Sequence, residues 1–154
     1  MAAVKQILCN VGEQVYGIGL IHVRGIEKYT DIIHVPNAPS FIEGIINLRG
    51  DVIPVFNLHN KFGLEKTQRT ENTKLIIVKS RDMLIAFMVD EVSEIVEIDD
   101  SEFHPIPKVV ECEETSYIES VIQVKERLIV ILNLDGILTE IEQKKLQNLI
   151  EEHQ

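Results

Sequence analysis

Apolar residues in this chain come in short runs punctuated by turn residues. Residues 5–11 (KQILCNV), 15–21 (VYGIGLI), 74–79 (KLIIVK) and 83–89 (MLIAFMV) are such runs. Their length and their Gly, Asp and Ser boundaries predict strands, and neighbouring runs predict hairpins across 12–14 and 80–82. Residues 45–48 and 52–56 predict another hairpin at Arg49-Gly50-Asp51, where Gly50 is free to take positive φ. Residues 92–98 alternate imperfectly and read as a further strand. Residues 32–35 run into Pro36-Asn37-Ala38-Pro39, a loop, since neither proline can donate to a ladder. Ser40 is placed to cap one helical turn over 41–43. Residues 64–73 read as a polar connector and 99–107 as an acidic, proline-bearing loop. The period changes only near the end. Thr139 and Glu142 have capping-box spacing, and Ile141, Leu146, Leu149 and Ile150 lie near one stripe. This predicts a helix over 139–152 that covers part of a β structure.

The pattern repeats. FIEGIINLRGDVIPVFNL at 41–58 is echoed by YIESVIQVKERLIVILNL at 117–134. A shift of 76 places Ile42 on Ile118, Glu43 on Glu119, Ile46 on Ile122, Ile53 on Ile129, Asn57 on Asn133 and Leu58 on Leu134. Upstream a weaker echo runs at a shift of 69, with Val23 on Val92 and Ile26 on Ile95. A changing shift means loops of unequal length between matching elements of one duplicated unit. A unit of about 60–70 residues is too small to bury both faces of its own sheet. The expectation is a mainly β single domain over 1–154: two small barrels related by a pseudo-two-fold, with a C-terminal α-helix. Residues 12–73 would form the first barrel and 74–138 the second, and the strand at 5–11 would join either. Equivalent positions would then line the groove between them: Leu20, Val23 and Ile26 from one half, Val89, Val92 and Ile95 from the other.

The net charge of −10 repels nucleic acid and anionic lipid, so neither is an expected partner. Cys9 and Cys112 lack metal-ligand or CxxC spacing and read as free thiols of a reducing compartment. No apolar run approaches the roughly 20 residues that span a bilayer, and no leader pattern stands at the start. The reading is cytoplasmic, without membrane insertion. His22, His34, His59, His104 and His153 are scattered, so no metal site is expected. Gly17-Ile18-Gly19 lacks the third glycine of a dinucleotide loop, and no GxSxG or P-loop occurs. Asp99, Asp100 and Glu102 lack the ligand spacing of a calcium loop. No catalytic residue and no cofactor is expected. A chain with an apolar groove and no catalytic constellation reads as a binding module. A small-ligand-binding β-barrel is the rival from another class.

At 41–58 the chain resembles the CheW family, the coupling proteins of bacterial chemotaxis. The resemblance rests on Phe41, Ile42 and Gly44, on Asn47-Leu48-Arg49-Gly50, on Ile53-Pro54-Val55 and on Asn57-Leu58. Tyr16-Gly17-Ile18 and Val89-Asp90-Glu91-Val92 extend it over roughly residues 5–150. It implies two SH3-like five-stranded β-barrels and a non-enzymatic adaptor. That adaptor would join the cytoplasmic tips of chemoreceptors to the histidine kinase CheA, whose regulatory domain shares the fold. It implies a receptor-facing groove at Leu20, Val23 and Val92. It also makes Gly44, Asn47, Arg49 and Gly50 candidates for a kinase or receptor interface. The family's arginine pairs with a glutamate whose matching position here is Gly25, which leaves Glu27 or Glu43 for Arg49. The second copy carries Lys125-Glu126 in place of Arg-Gly, so only the first unit keeps the marked turn. An adaptor in another receptor–kinase array, such as that of pilus motility, fits the same residues.

Overall fold

The structure, a computed structural model, describes residues 3–64, 69–80, 82–107, 116–137 and 140–152. Cys112, Arg81, residues 65–68 and the proposed cap at Thr139 lie outside the described residues, as do the side chains of Ile141 and Leu149. In chain order the strands are β1 (Ala3–Val11), β2 (Gln14–Gly19), β3 (Val23–Lys28), β4 (Ile42–Leu48), β5 (Asp51–Asn57), β6 (Lys74–Ser80), β7 (Met83–Val89), β8 (Glu91–Asp99), β9 (Ile118–Val124) and β10 (Arg127–Leu132). A short helix α1 (Leu58–Lys61) follows β5, and α2 (Glu140–Glu152) comes last.

The strands form two five-stranded sheets, ordered β8-β1-β2-β10-β9 and β3-β6-β7-β5-β4. Each sheet curls toward closure in the same way. The chain leaving β3 reaches the far edge of its sheet through a bridge between Ile33 and Ile45. The chain leaving β8 does so through His104 and Val121.

The duplication holds in three dimensions. Val23 faces Val78 and Ile26 faces Ile76; at a shift of 69 the same places are held by Val92 facing Cys9 and Ile95 facing Ile7. Both pairings slip by one residue at the same point, at Arg24 in one copy and Ser93 in the other. The repeated hairpins share a two-residue turn with both positions at positive φ: Arg49 (51°) and Gly50 (90°), then Lys125 (49°) and Glu126 (69°). That is the primed turn whose twist matches the flanking strands.

The barrels, however, are not the sequence halves 12–73 and 74–138. Each barrel takes three strands from one repeat and its leading hairpin from the other. The strand at 5–11 pairs with β2 and with β8 of the second repeat. The exchange occurs where the chain passes between sheets: at a 3-10 turn, Leu20–His22, in the first copy and at Asp90 in the second. That crossing is why the run expected over 15–21 ends as a strand at Gly19.

The exchange explains why several strands are apolar without alternation. On β6, Leu75 and Ile77 fill one barrel beside Ile46, Ile53, Val55, Ala86 and Met88. Ile76 and Val78 point the other way, into a core shared by both barrels. On β1, Leu8 fills the second barrel with Ile98, Ile122, Ile129 and Ile131, while Ile7 and Cys9 enter the shared core. Both faces of these strands are buried, so both faces are apolar. Phe56 stands in the shared core, edge-on to Phe41 (5.4 Å between centroids) and Phe87 (5.8 Å). Leu146 anchors α2 on the same core, with Ile150 partly buried beside it.

No helical turn starts at Ser40. Ile42 N–H donates to Pro39 O (2.9 Å) in a tight turn, and the strand begins at Ile42. Gly44 then permits a close approach. A Cβ there would run into the Ile33 carbonyl, which instead accepts the Ile45 N–H at 2.9 Å. The backbone bonds of barrel closure outweigh the local capping signal at Ser40.

The second primed turn reaches its shape without glycine. L-residues in this left-handed region cost about 1–2 kcal/mol each, against which glycine loses about 0.5–1 kcal/mol of chain entropy. Glu126→Gly is therefore expected to raise stability by roughly 0.5–1 kcal/mol. Urea unfolding measures it; an unchanged or lower midpoint would mean that the turn is unstrained.

Candidate functional site

Five of the six residues proposed for the groove, Leu20, Val23, Ile26, Val92 and Ile95, sit where the shared core reaches solvent. β3 and β8 are end strands of their sheets. Val23, Ile26, Val92 and Ile95 lie opposite Val78, Ile76, Cys9 and Ile7, and all four of those partners belong to the shared core. Directly opposite residues put their side chains on one face of a sheet. The apolar faces that meet between the barrels therefore continue outward along both free edges. Val23 and Val92 are half-buried, whereas Ile26 is 42% and Ile95 56% exposed. Leu20, in the 3-10 crossing, is half-buried against the same core.

Val89 does not line this rim. It is fully buried in the shared core and would reach a partner only if the barrels parted. Its sequence equivalence to Leu20 was misleading, because β7 is an inner strand and the 3-10 crossing is a surface one. Ile21, by contrast, is 80% exposed, the highest value among the described large apolar side chains, and the sequence reading missed it. Placed in a strand it looks like core; only the 3-10 turn exposes it. A clue was available: its partner at the shift of 69 is Asp90, a polar residue.

The signature turn is built by its own side chains. Asn47 Oδ1 accepts the Gly50 N–H (3.1 Å), which closes the loop. Arg49 Nη2 donates to Glu27 Oε1 on β3 at 2.7 Å. Of the two carboxylates left open by the sequence, Glu27 takes the arginine, while Glu43 accepts from Asn57 Nδ2 at 2.9 Å. The Arg49 side chain is 78% exposed, so the pair contributes about 0–1 kcal/mol at most. Its consequence is orientation: the guanidinium lies along β3 with most of its surface free. Gly44 is buried, so its role is to let the closing segment approach.

Behind the rim the crossings are pinned. Asp90 Oδ2 accepts the Gly12 N–H (2.8 Å), and both Asp90 oxygens lie 3.0 Å from Nε2 of buried His59. The Asp90 N–H donates to Asn10 O at 2.9 Å. One carboxylate thus ties the β7–β8 crossing to the β1–β2 turn and to α1. Phe62, just after α1, packs on Tyr16 (5.0 Å) and stacks on Tyr117 (4.3 Å). Burial pushes the Tyr16 hydroxyl up to about 12, helped by the neighbouring Tyr117 and Cys9, and pushes Tyr117 up as well. Burial also raises the Cys9 thiol to about 12, with a smaller push from Asp90. Neutral, buried groups of this kind hold a scaffold together and are poor nucleophiles.

Among the described residues, no group of three or more His, Cys, Asp or Glu is placed to hold a metal ion. No described helix is long and apolar enough to cross a membrane.

Known proteins share this design. The family model described as CheW-like domain matches residues 5–142. The chain is 31% identical over 134 residues to the chemotaxis protein CheW of Bacillus subtilis, covering 87% of this chain and 86% of that protein. It is 26% identical over 147 residues to the chemotaxis protein CheW of Klebsiella aerogenes, covering 96% and 89%. Its backbone matches the crystal structure of the scaffolding protein TtCheW from Thermoanaerobacter tengcongensis with a TM-score of 0.84 and 30% identity, covering 92% of this chain and 96% of that one. With two exchanged five-stranded barrels and the Asn-Leu-Arg-Gly turn in place, the chain belongs to the CheW-like domain family.

Proposed function

We propose that this protein is the adaptor of a chemosensory array, joining receptor tips to the histidine kinase CheA without catalysing a reaction itself. The observation that carries this reading is the apolar rim, where a shared core surfaces along two free strand edges at Val23, Ile26, Val92 and Ile95. Such a strip suits a helix laid into a groove, as a receptor tip would be. The kinase's regulatory domain, a barrel pair of like design, would dock by a barrel end. The exposed turn at Asn47, Arg49 and Gly50 is the candidate on this chain. Coupling then needs no internal motion. The rim and the turn belong to one body, because β3 carries both Val23 and the Glu27 that holds Arg49. Interfaces of transient signalling are commonly small, so single charges within them have large effects. The protein would work in the cytoplasm, held at the membrane only through its partners.

The test is reconstitution of kinase activity with receptor-bearing vesicles, CheA and this protein. Activity is expected to depend on the protein. Val23→Asp places an unpaired charge in the rim and is expected to weaken receptor co-sedimentation about tenfold, with kinase binding and fold retained. Normal receptor binding by that folded variant would remove the rim from the account.

A further inference from the structure

The chain is strongly acidic, yet one corner gathers cations. An open cleft of about 640 Å³ where β3 ends and β6 begins is lined by Lys28, Tyr29, Asp31, Arg69, Glu71 and Lys74, among others. Lys28 and Lys74 stand directly opposite one another across the two strands. Like charges so placed repel and weaken the pairing. The fold does not require this. At the equivalent register of the other barrel the pair is Lys5 facing Glu97, which attracts. Arg69 adds a third charge, its guanidinium 4.4 Å over the Tyr29 ring. Among the described residues, none of the three cations is in an ion pair with Asp31 or Glu71, though both line the cleft.

The cations are also held in place. Thr70 N–H donates to Thr73 Oγ1 (2.9 Å), Asn72 N–H to Thr70 Oγ1 (3.1 Å) and Thr73 N–H to Thr70 O (3.2 Å). This tight turn fixes where Arg69 and Lys74 emerge, and Lys74 Nζ donates to Glu71 O at 3.2 Å.

We infer that this corner docks an acidic peptide segment of a protein partner, with carboxylates seated between Lys28 and Lys74 and against the forked guanidinium of Arg69. A phosphate group fits less well. The Thr70, Asn72 and Thr73 N–H groups are spent within the turn, so they form no cradle of backbone donors for a compact dianion. Asp31 and Glu71 would repel a compact dianion, whereas an extended acidic segment can space its carboxylates onto the cations and away from these two side chains. The corner lies at the opposite end of β3 from Val23, roughly 16 Å away at the usual strand rise. Its occupant is thus separate from whatever fills the apolar rim, and the inference stands whether or not the adaptor reading does.

The test uses the full chain and a capped hexaglutamate peptide, followed by calorimetry and amide NMR at low salt. Binding is expected, with shifts centred on residues 28–31 and 69–74 and with affinity falling as salt rises. Lys28→Glu copies the attractive pair of the twin barrel. It is expected to weaken binding about tenfold or more while leaving the melting temperature at or above that of the parent, a combination misfolding cannot produce. Arg69→Ala is expected to weaken binding too, and Lys5→Ala at the twin position to leave it unchanged. Absence of peptide binding, parental binding by Lys28→Glu, a lowered melting temperature for that variant, or an equal loss from Lys5→Ala would each overturn the inference. Inorganic phosphate binding the same residues more tightly than the peptide would also overturn it.

Discussion

Phe56→Ala is expected to cost about 3–5 kcal/mol of folding stability, the range for emptying an aromatic site in a packed core. Phe56 is fully buried and lies opposite both Ile42 on β4 and Phe87 on β7. Its ring is one of three phenylalanines in edge-on contact. The site can collapse only a little, because its walls belong to both barrels and moving one wall misfits the other. Since small domains are stable by about 5–15 kcal/mol, this single change would remove a large share of the total. Urea unfolding followed by circular dichroism measures it. A loss below about 1 kcal/mol would mean that neighbours close the space, and that the shared core is softer than its burial implies.

Stability is expected to hold up to about pH 9 and then fall steadily toward pH 12. The cause is the Cys9 thiol, whose ordinary value of 9.0 is raised to about 12 by burial and then by Asp90. The folded chain keeps this proton where the unfolded chain has lost it. Over that window the unfolded state binds fewer protons, so stability falls as pH rises. Below pH 9 both states are protonated and the group has no effect. A shift of about three units corresponds to roughly 4 kcal/mol once pH passes the upper value. Tyr16, ordinarily at 10.0 and raised to about 12, adds to the fall over pH 10–12. Cys9→Ala is expected to lose some packing at neutral pH but to show a visibly flatter alkaline limb. An unchanged limb in that variant would sink the assignment. Tyr16→Phe then reports the remainder.

Much of this architecture was legible because duplication leaves arithmetic in a sequence. The shift of 76 correctly anticipated a common hairpin, whereas the positive φ values that Lys125-Glu126 shares with Arg49-Gly50 were foreseen only at Gly50, because no glycine marks the second turn. The shift of 69 aligned Val23 with Val92 and Ile26 with Ile95, and the strand registers agree. The exchange of leading hairpins was not legible, for a physical reason. Twin halves present nearly the same edge, so pairing within a repeat and between repeats satisfies the same apolar pattern. What decides is the path of the chain: the 3-10 turn in one copy and Asp90 in the other carry it across to the second sheet instead of back along the first. The partner of Arg49 was undetermined for a similar reason. Glu27 and Glu43 are both near in sequence terms, and only the placement of β3 and of Asn57 separates them. Val89 and Ile21 were misjudged because apolar character marks inner strands and exposed crossings alike. The acidic composition likewise hid the cationic corner, which forms only when β3 and β6 come side by side.

The hairpin exchange bears on how the molecule is made. As the chain leaves the ribosome, β1 and β2 emerge first, but the strands flanking them, β8 and β10, are among the last to be translated. Their barrel cannot close until synthesis has passed Leu132, whereas the other is complete in strands by Val89, so β1 and β2 must wait through most of translation with unsatisfied sheet edges. A truncated product would be an orphan for chaperones or proteases instead of half a working adaptor, and only full-length molecules would enter an assembly.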